Sequence, residues 1–396
     1  MKTRLLLACL LIVIFSCNKE EEPEIKDLTI KIEIRGGFIN EEWDYDLLLH
    51  NSEGNLIDEI RGLENLMNYE LSVTNEIIPI YLTIVSRNEN TKNSYSLETV
   101  LLYKSTSLIL GNYSNRNIRN ENFTIKYEDF EINNIITNSI FYSEGNSSLN
   151  LTPKFFPHDE VLSFNVLGQQ NRKFININNA IPNEIYTINL SDIEDVKDSI
   201  IYPVSENEFV YSVLYGRRLN IDKYFARISQ FIESTHPNVK HFLPKTEINN
   251  FLLWTEVDNN GIRSGNYTLY PEFDFSFTKP TIDFDIKEIS RKKAKISSSD
   301  GDYFSTRLLY NTGSKYTAYW DIKGPIDNNI EFNLPNIDEY LAEIEVNYIP
   351  GSLNTWSTRI YKMENDWNYN QFLLFSFEGF LDFEIPSSID YITIKH

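Results

Sequence analysis

The fold class is decided by residues 28–35, which read Leu28-Thr29-Ile30-Lys31-Ile32-Glu33-Ile34-Arg35. Apolar and polar residues alternate here with a period of two, the pattern of a β-strand with one buried face and one solvated face. The two glycines that follow predict the end of this strand. Residues 45–60 then read as a β-hairpin with a polar turn at residues 51–55.

Short strand-like segments continue to the end of the chain, separated by turns rich in Asn, Gly and Ser. The clearest pair is predicted at 273–278 and 282–287, where Phe and Ile alternate with polar residues. A helix is predicted only at 221–232, and a strand is the open alternative there. Residues 340–348 alternate as a strand. The pattern predicts an all-β fold of tandem β-sandwich domains of the Ig-like class.

A length of 396 residues suggests two or three domains. We place a β-sandwich domain at 28–127, a second β-rich domain at 128–270 and a C-terminal β-sandwich domain at 271–396. No short fixed repeat is visible, which argues against a solenoid or a propeller.

Composition excludes several function classes. Lys and Arg number 36 against 57 Asp and Glu, a formal charge of −21. Such a surface repels phosphate backbones, so nucleic acid is not an expected partner. Cys9 and Cys17 are the two cysteines, which excludes a disulfide scaffold, a Cys-rich zinc site and an iron–sulfur cluster. We expect no metal and no cofactor.

The N-terminus has the pattern of an export signal. Lys2 and Arg4 precede an apolar run at residues 5–15, which is shorter than the ~20 residues that a membrane-spanning helix needs. The run ends in Ile14-Phe15-Ser16-Cys17, which resembles the lipobox of bacterial lipoproteins. The resemblance implies that residues 1–16 are a signal peptide removed before Cys17, and that Cys17 carries the acyl chains.

Residues 17–27 form an acidic tether. Lys19, Glu20 and Glu21 follow the cysteine closely. This run resembles the export signal of surface lipoproteins in the Bacteroidota, which implies a lipid-anchored protein on the outer face of the outer membrane. A solvated tether at the periplasmic face is the alternative.

Few residues suggest catalysis. His236 and His241 lie five positions apart with a proline between them, which does not match the zincin pattern. We interpret them as solvated loop histidines. Asp283 and Asp285 share a face of a predicted strand and loosely fit the carboxylate pair of a glycosidase, but a solvated sheet face is the simpler interpretation. Neither a nucleophile elbow nor a phosphate-binding loop occurs.

Aromatic residues are the remaining indication of a ligand. Trp356, Trp367 and Tyr369 lie in the last third of the chain, and Trp367 has polar neighbours. Exposed Trp and Tyr rings can form flat platforms for sugar rings, so these three are a candidate ligand platform. The alternative is that the rings fill the sandwich cores.

These observations predict a lipid-anchored outer-membrane protein without catalytic activity, with a binding or assembly role at the cell surface. The layout is similar to the accessory glycan-binding lipoproteins of Bacteroidota polysaccharide-uptake systems. That similarity implies the outer membrane, reached through acyl chains on Cys17, and a glycan or another envelope protein as partners. A surface glycoside hydrolase and an adhesin or structural subunit are the alternatives.

Overall fold

The computed structural model describes most of the chain after residue 24. The described residues are 25–35, 43–88, 95–110, 122–137, 140–143, 147–152, 158–169, 171–196, 198–203, 208–217, 226–233, 238–243, 250–271, 275, 277–289, 293–311, 317–326, 329–344, 352–363, 368–369, 371–373 and 388–395.

Strands dominate these residues. The first eleven are β1 Ile25–Ile34, β2 Trp43–His50, β3 Leu56–Arg61, β4 Asn68–Ile77, β5 Ile80–Asn88, β6 Tyr95–Leu102, β7 Thr106–Leu110, β8 Phe123–Glu128, β9 Ile132–Ile136, β10 Ile140–Ser143 and β11 Ser148–Thr152. The next ten are β12 His158–Val166, β13 Arg172–Ala180, β14 Ile185–Asn189, β15 Glu194–Asp195, β16 Asp198–Pro203, β17 Phe209–Arg217, β18 Ala226–Glu233, β19 Asn238–Leu243, β20 Asn250–Asn259 and β21 Ile262–Tyr270. The last seven are β22 Asp285–Ile289, β23 Lys293–Ser297, β24 Tyr303–Asn311, β25 Thr317–Pro325, β26 Asn329–Asn333, β27 Ser352–Met363 and β28 Ser388–Lys395.

Short helical segments accompany them, among them the α-helix α1 at Asp338–Ile344 and a single 3₁₀ turn at Leu190–Asp192. The predicted all-β fold of packed, Ig-like sandwich sheets is confirmed.

One long sheet organises the molecule. Its twelve strands run in the order β18-β17-β20-β21-β28-β27-β24-β25-β6-β5-β2-β3. Neighbouring strands are antiparallel except β25 and β6, which pair in parallel from Tyr319 opposite Ser96 to Lys323 opposite Val100. The predicted ranges 28–127, 128–270 and 271–396 each contribute strands to this sheet; as domain boundaries they remain predictions.

The decisive N-terminal strand covers one face of the long sheet. Leu28, Ile30, Ile32 and Ile34 of β1 are all buried, as their alternation predicts. β1 pairs antiparallel with β4 and parallel with β7. This three-stranded sheet packs on the side of the long sheet that carries Leu47, and we name that side the inner face.

The opposite side, the outer face, packs against smaller sheets. Strands β22, β23 and β26 form a three-stranded sheet whose Ile296 and Phe332 share a core with Phe304 and Trp320 of the long sheet. Strands β16 and β19 form a second cover near β17, where Val239 packs with Leu253.

Residues 123–195 form a sandwich with a core of its own. Its two four-stranded sheets have the orders β10-β11-β8-β14 and β15-β13-β12-β9. Phe123 and Ile125 of β8 point into this core together with Leu162 and Phe164 of β12.

The hairpin at β2 and β3 forms as predicted. Its turn contains Gly54 at a φ of +86°, a conformation that favours glycine. A Cβ at this position would lie 2.7 Å from the carbonyl oxygen of Leu334. The turn therefore needs glycine for its conformation and for its close approach to the chain before α1.

At three places the structure depends on tertiary packing and not on the local sequence pattern. Residues 277–284 form no strand. The segment crosses between two cores, since Phe277 packs into one and Ile282 and Phe284 pack into the other. In addition, Pro280 has no N–H to donate to a neighbouring strand. At 221–232, where the sequence left helix and strand open, the described residues 226–232 belong to strand β18.

The strand predicted at 340–348 was wrong for residues 340–344, which belong to the helix α1; residues 345–348 lie outside the described residues. Ile337, Tyr340 and Leu341 are buried together at helical spacing, and the Leu341 amide donates to the Ile337 carbonyl over 2.9 Å.

A buried polar cluster fixes α1 to the sheet. Asp46 on β2 is 1% exposed and accepts hydrogen bonds from the Gly62 amide at 2.8 Å and from Arg87 at 3.1 Å. The Tyr340 hydroxyl also donates to Asp46. Because three donors satisfy one buried carboxylate, this cluster joins the helix to β2, β3 and β5.

Candidate functional site

A group of partly exposed aromatic rings lies on the inner face, at the end of the long sheet away from β1. Alternation on β20 places Trp254 there, and Tyr211 and Tyr215 stand beside it on β17. The Trp254 indole stacks on Tyr267 with ring centroids 5.4 Å apart and an interplanar angle of 15°. Tyr211 meets the indole edge-on at 4.8 Å. We name Tyr211, Tyr215 and Trp254, with Arg227, the aromatic face.

Hydrogen bonds hold the indole in place. Its Nε1 donates to the Tyr391 hydroxyl at 2.7 Å, and that hydroxyl donates to Oε2 of Glu256 at 3.0 Å. Arg263 completes the row by donating to Oε1 of Glu256 at 2.9 Å. Burial raises the pKa of Tyr391 well above its usual value, so its hydroxyl stays protonated and available as this donor. The indole is therefore a rigid surface.

Arg227 gives the aromatic face a positive charge. It stands directly opposite Tyr215 in the pairing of β17 with β18, so the two side chains are cross-strand neighbours. Its Nη1 donates to Gln230 at 3.3 Å. Its buried Nε has no hydrogen-bond partner in the part of the chain that the structure describes. A guanidinium has five N–H donors, so Arg227 retains the capacity to bind an oxygen ligand.

Charged side chains continue across the inner face beyond the aromatic face. Arg359 lies with its guanidinium carbon 4.4 Å from the centroid of the Tyr391 ring, and its Nε donates to Thr393 at 2.7 Å. Farther along, Arg307 and Asp321 form a two-bond fork at 2.6 and 2.7 Å. Arg359 also pairs with Glu256 at 3.7 Å, so both arginines have a carboxylate partner and we interpret them as structural support for the sheet.

Together the rings and charges suit a ligand with a flat apolar side and polar edges. Sugar rings have this character, since their C–H groups pack on an aromatic face while their hydroxyls bond to charged groups at the rim. Arg227 adds the ability to bind a carboxylate. Nothing in this geometry supplies an obvious nucleophile with its base.

The predicted site residues lie elsewhere. Tyr369 is partly buried: its ring stacks near Tyr303 at 5.7 Å and Phe372 at 6.1 Å, and its hydroxyl donates to the Lys323 carbonyl at 3.0 Å. These are the contacts of a core ring, the alternative that the sequence left open. Trp356 belongs to β27, but its side chain lies outside the described residues, as does Trp367.

The lipidation and export residues, Cys17, Lys19, Glu20 and Glu21, also lie outside the described residues. The predictions made for them stay predictions.

The interpretation of His241 as a solvated loop residue was wrong. It lies on β19 and is 1% exposed, with Ser212 2.8 Å from Nε2 and Ser229 3.1 Å from Nδ1. Burial lowers its pKa to about 3. It is a core histidine that joins β19 to β17 and β18. His236 lies outside the described residues.

Within the described ranges, no group of three or more His, Cys, Asp or Glu side chains is arranged to hold a metal ion. Among the helices of those same ranges, none has the length and apolar character needed to cross a bilayer.

Comparison with known proteins identifies no family. No family model matches the chain, and no curated protein matches it. Among solved structures, it is similar to the FN1–FN3 domains of chicken CNTN1, at 10% identity over 85% of this chain and 88% of that one, with a TM-score of 0.12. It is also similar to trypsin-activated alpha-2-macroglobulin from Escherichia coli, at 7% identity over 86% of this chain and 23% of that one, with a TM-score of 0.13. Scores this low carry no functional argument.

Sequence reasoning missed the aromatic face for a physical reason. Trp254 ends the apolar run Phe251-Leu252-Leu253-Trp254, which is typical of a buried strand. In the structure the side chain is nevertheless partly exposed. The one signal in the sequence is the acidic residue Glu256 at the next position on the same face.

Proposed function

We propose that this protein is a lipid-anchored component of the bacterial outer membrane that binds a glycan at the cell surface without chemical turnover. The observation that carries the proposal is the aromatic face, where Trp254 and Tyr211 are partly exposed, rigidly held and bordered by Arg227. The anchor rests on the lipobox resemblance ending at Cys17 and on the acidic tether after it.

Rigidity favours binding over a structural interpretation of the rings. A side chain already held by the contacts to Tyr267 and Tyr391 loses little conformational entropy when a ligand packs on it. Binding at such a surface depends on contact area and on a few polar bonds, and it requires no catalytic group.

Glycan-array binding by the full-length protein in detergent tests the proposal. Trp254→Ala should weaken binding by about tenfold, since a lost aromatic contact of roughly 1.5 kcal/mol corresponds to that factor. Tyr319→Ala is the matched control, because Tyr319 is an exposed tyrosine on β25 at a distance from the aromatic face. Equal loss in both variants, or no glycan bound by the wild type, contradicts the proposal.

Anchoring is tested separately by protease shaving of intact cells. Wild-type protein should be cleaved, and Cys17→Ala should leave the membrane fraction. Replacement of Lys19, Glu20 and Glu21 by alanine should retain the anchor but protect the protein from the protease. Protection of the wild type would place the protein at the periplasmic face.

An adhesin or structural subunit is the second candidate, and one observation favours it. β3 is an edge strand of the long sheet, and its Leu56 and Ile57 are 44% and 37% exposed. Such an edge can pair with a strand of another chain. Loss of cell–cell or subunit association in Ile57→Lys, with glycan binding absent, would favour this function. Release of reducing ends from bound glycans would instead favour the glycoside hydrolase.

A further inference from the structure

A shallow cleft of about 530 Å³, largely open to solvent, lies on the outer face at β21 and β28, next to β20, which carries Trp254. Its wall in the sheet is Ser264 of β21 and Ile392 of β28. Ile392 follows Tyr391, which holds Trp254 from the inner face, so the cleft and the aromatic face lie on opposite sides of the long sheet. The other wall is the crossing segment 279–283 with Asp300.

The carboxylates of the cleft are fixed in place. Asp300 accepts a hydrogen bond from the Asp283 amide at 2.8 Å and a second from Lys362 at 3.4 Å. Asp283 accepts one from the Ser299 hydroxyl at 3.1 Å. An ionised carboxylate has about four acceptor positions, so among the described residues both groups retain capacity for further donors.

A donor is also present at the cleft. Lys279 gives one hydrogen bond to Glu208 at 2.7 Å, and an ammonium has three N–H groups to give. The apolar part of the lining comes from Pro280, Ile282 and Ile392. The cleft thus combines acceptors, a donor and an apolar surface.

This combination selects one ligand chemistry. Two carboxylates disfavour an anion, and the Lys279 ammonium disfavours a cation. A hydroxyl group satisfies both kinds of partner, because it donates to a carboxylate and accepts from an ammonium. The geometry points to a second glycan site, distinct from the aromatic face, that takes an uncharged sugar unit with neighbouring hydroxyls.

Isothermal titration of the full-length protein in detergent tests this site. The probes are laminarihexaose, cellohexaose and mannohexaose as neutral oligosaccharides, and hexagalacturonate as the anionic one. All titrations use the Trp254→Ala background, in which binding at the aromatic face is weakened about tenfold. We expect at least one neutral probe to bind at one site per chain, and hexagalacturonate to bind more weakly.

Steric variants then locate the binding. Thr281 is an exposed residue of the cleft, and Thr281→Trp should fill it and weaken binding by about tenfold or more. Thr278→Trp is the matched control, because Thr278 is exposed in the same segment but does not line the cleft. Asp283→Ala should weaken binding without adding bulk.

Three results would overturn the site: no neutral probe bound at about 10 mM, unchanged binding in Thr281→Trp, or preference for hexagalacturonate. Each leaves the proposed function intact if wild-type protein still binds glycan in a Trp254-dependent manner. Conversely, binding that survives Trp254→Ala and is lost in Thr281→Trp supports the cleft even where the aromatic face fails.

Discussion

Mild acid should destabilise this protein through two buried histidines, His50 on β2 and His241 on β19. His50 is completely buried, and neither ring nitrogen has a hydrogen-bond partner of good geometry in the described part of the chain. Burial lowers its pKa from 6.5 to about 4, an effect that the nearby Asn336 backbone partly offsets. Burial likewise lowers the pKa of His241 to about 3. Both residues are therefore neutral in the folded protein at pH 5.

The direction of this pH effect on stability follows from proton uptake. Between pH 6.5 and the lowered pKa values, the unfolded chain binds protons that the folded protein does not, so acidification favours unfolding. The stability that each neutral histidine contributes is fully present above pH 6.5. It is lost as the pH falls toward 4 for His50 and toward 3 for His241. At pH 5 the loss is about 2 kcal/mol for each histidine. A combined loss of about 4 kcal/mol is a large part of typical protein stability.

Urea unfolding followed by tryptophan fluorescence at pH 7.5 and pH 5 measures this loss. The range from pH 5 to pH 7.5 lies above most carboxyl pKa values, so histidines dominate the change in the free energy of unfolding. His50→Leu removes the titrating group and fills the same apolar surroundings, and it should reduce the pH-dependent loss to about 2 kcal/mol. His241→Asn should do the same while keeping a polar side chain near Ser212. Equal losses of the free energy of unfolding in wild type and His50→Leu would show that His50 does not cause the acid sensitivity.

Two substitutions test the packing near α1. Tyr340→Phe removes a hydroxyl that donates to buried Asp46, and it should lower the free energy of unfolding by about 1–2 kcal/mol in a urea titration at pH 7.5. An unchanged midpoint would show that this hydrogen bond is dispensable. Gly54→Ala should lower the midpoint of thermal unfolding, at a cost of at least about 1 kcal/mol, because its Cβ would meet the Leu334 carbonyl and φ is positive; an unchanged midpoint would contradict the tight turn.

Period-two alternation was the most reliable signal in the sequence. Ile30 and Ile32 are buried as their spacing predicts, because a strand covered on one side separates its side chains in this way. The same signal failed at Ile282 and Phe284, which are alternately packed without any strand partner. Alternation indicates which side of a segment is buried. It does not indicate whether the segment pairs with another strand, because that depends on the rest of the fold.

The candidate site depends on contacts that sequence spacing does not contain. Trp254 and Tyr391 are far apart in the chain, yet their hydrogen bond makes the indole a fixed surface. The parallel pairing of β6 with β25 likewise joins distant segments into one sheet. The proposed anchor at Cys17 is the reverse case, since its pattern lies entirely within a few consecutive residues and needs no tertiary contact.

We propose that this protein, anchored at the cell surface, binds glycan through Trp254. The most direct test of this proposal is equilibrium binding of a fluorescently labelled array-selected glycan to intact cells that produce wild-type, Trp254→Ala or Cys17→Ala protein. We expect wild-type cells to retain the label, Trp254→Ala cells to display equal protein but retain about tenfold less label, and Cys17→Ala cells to lose both protein and label. Equal retention by wild-type and Trp254→Ala cells at equal surface protein would contradict the proposal.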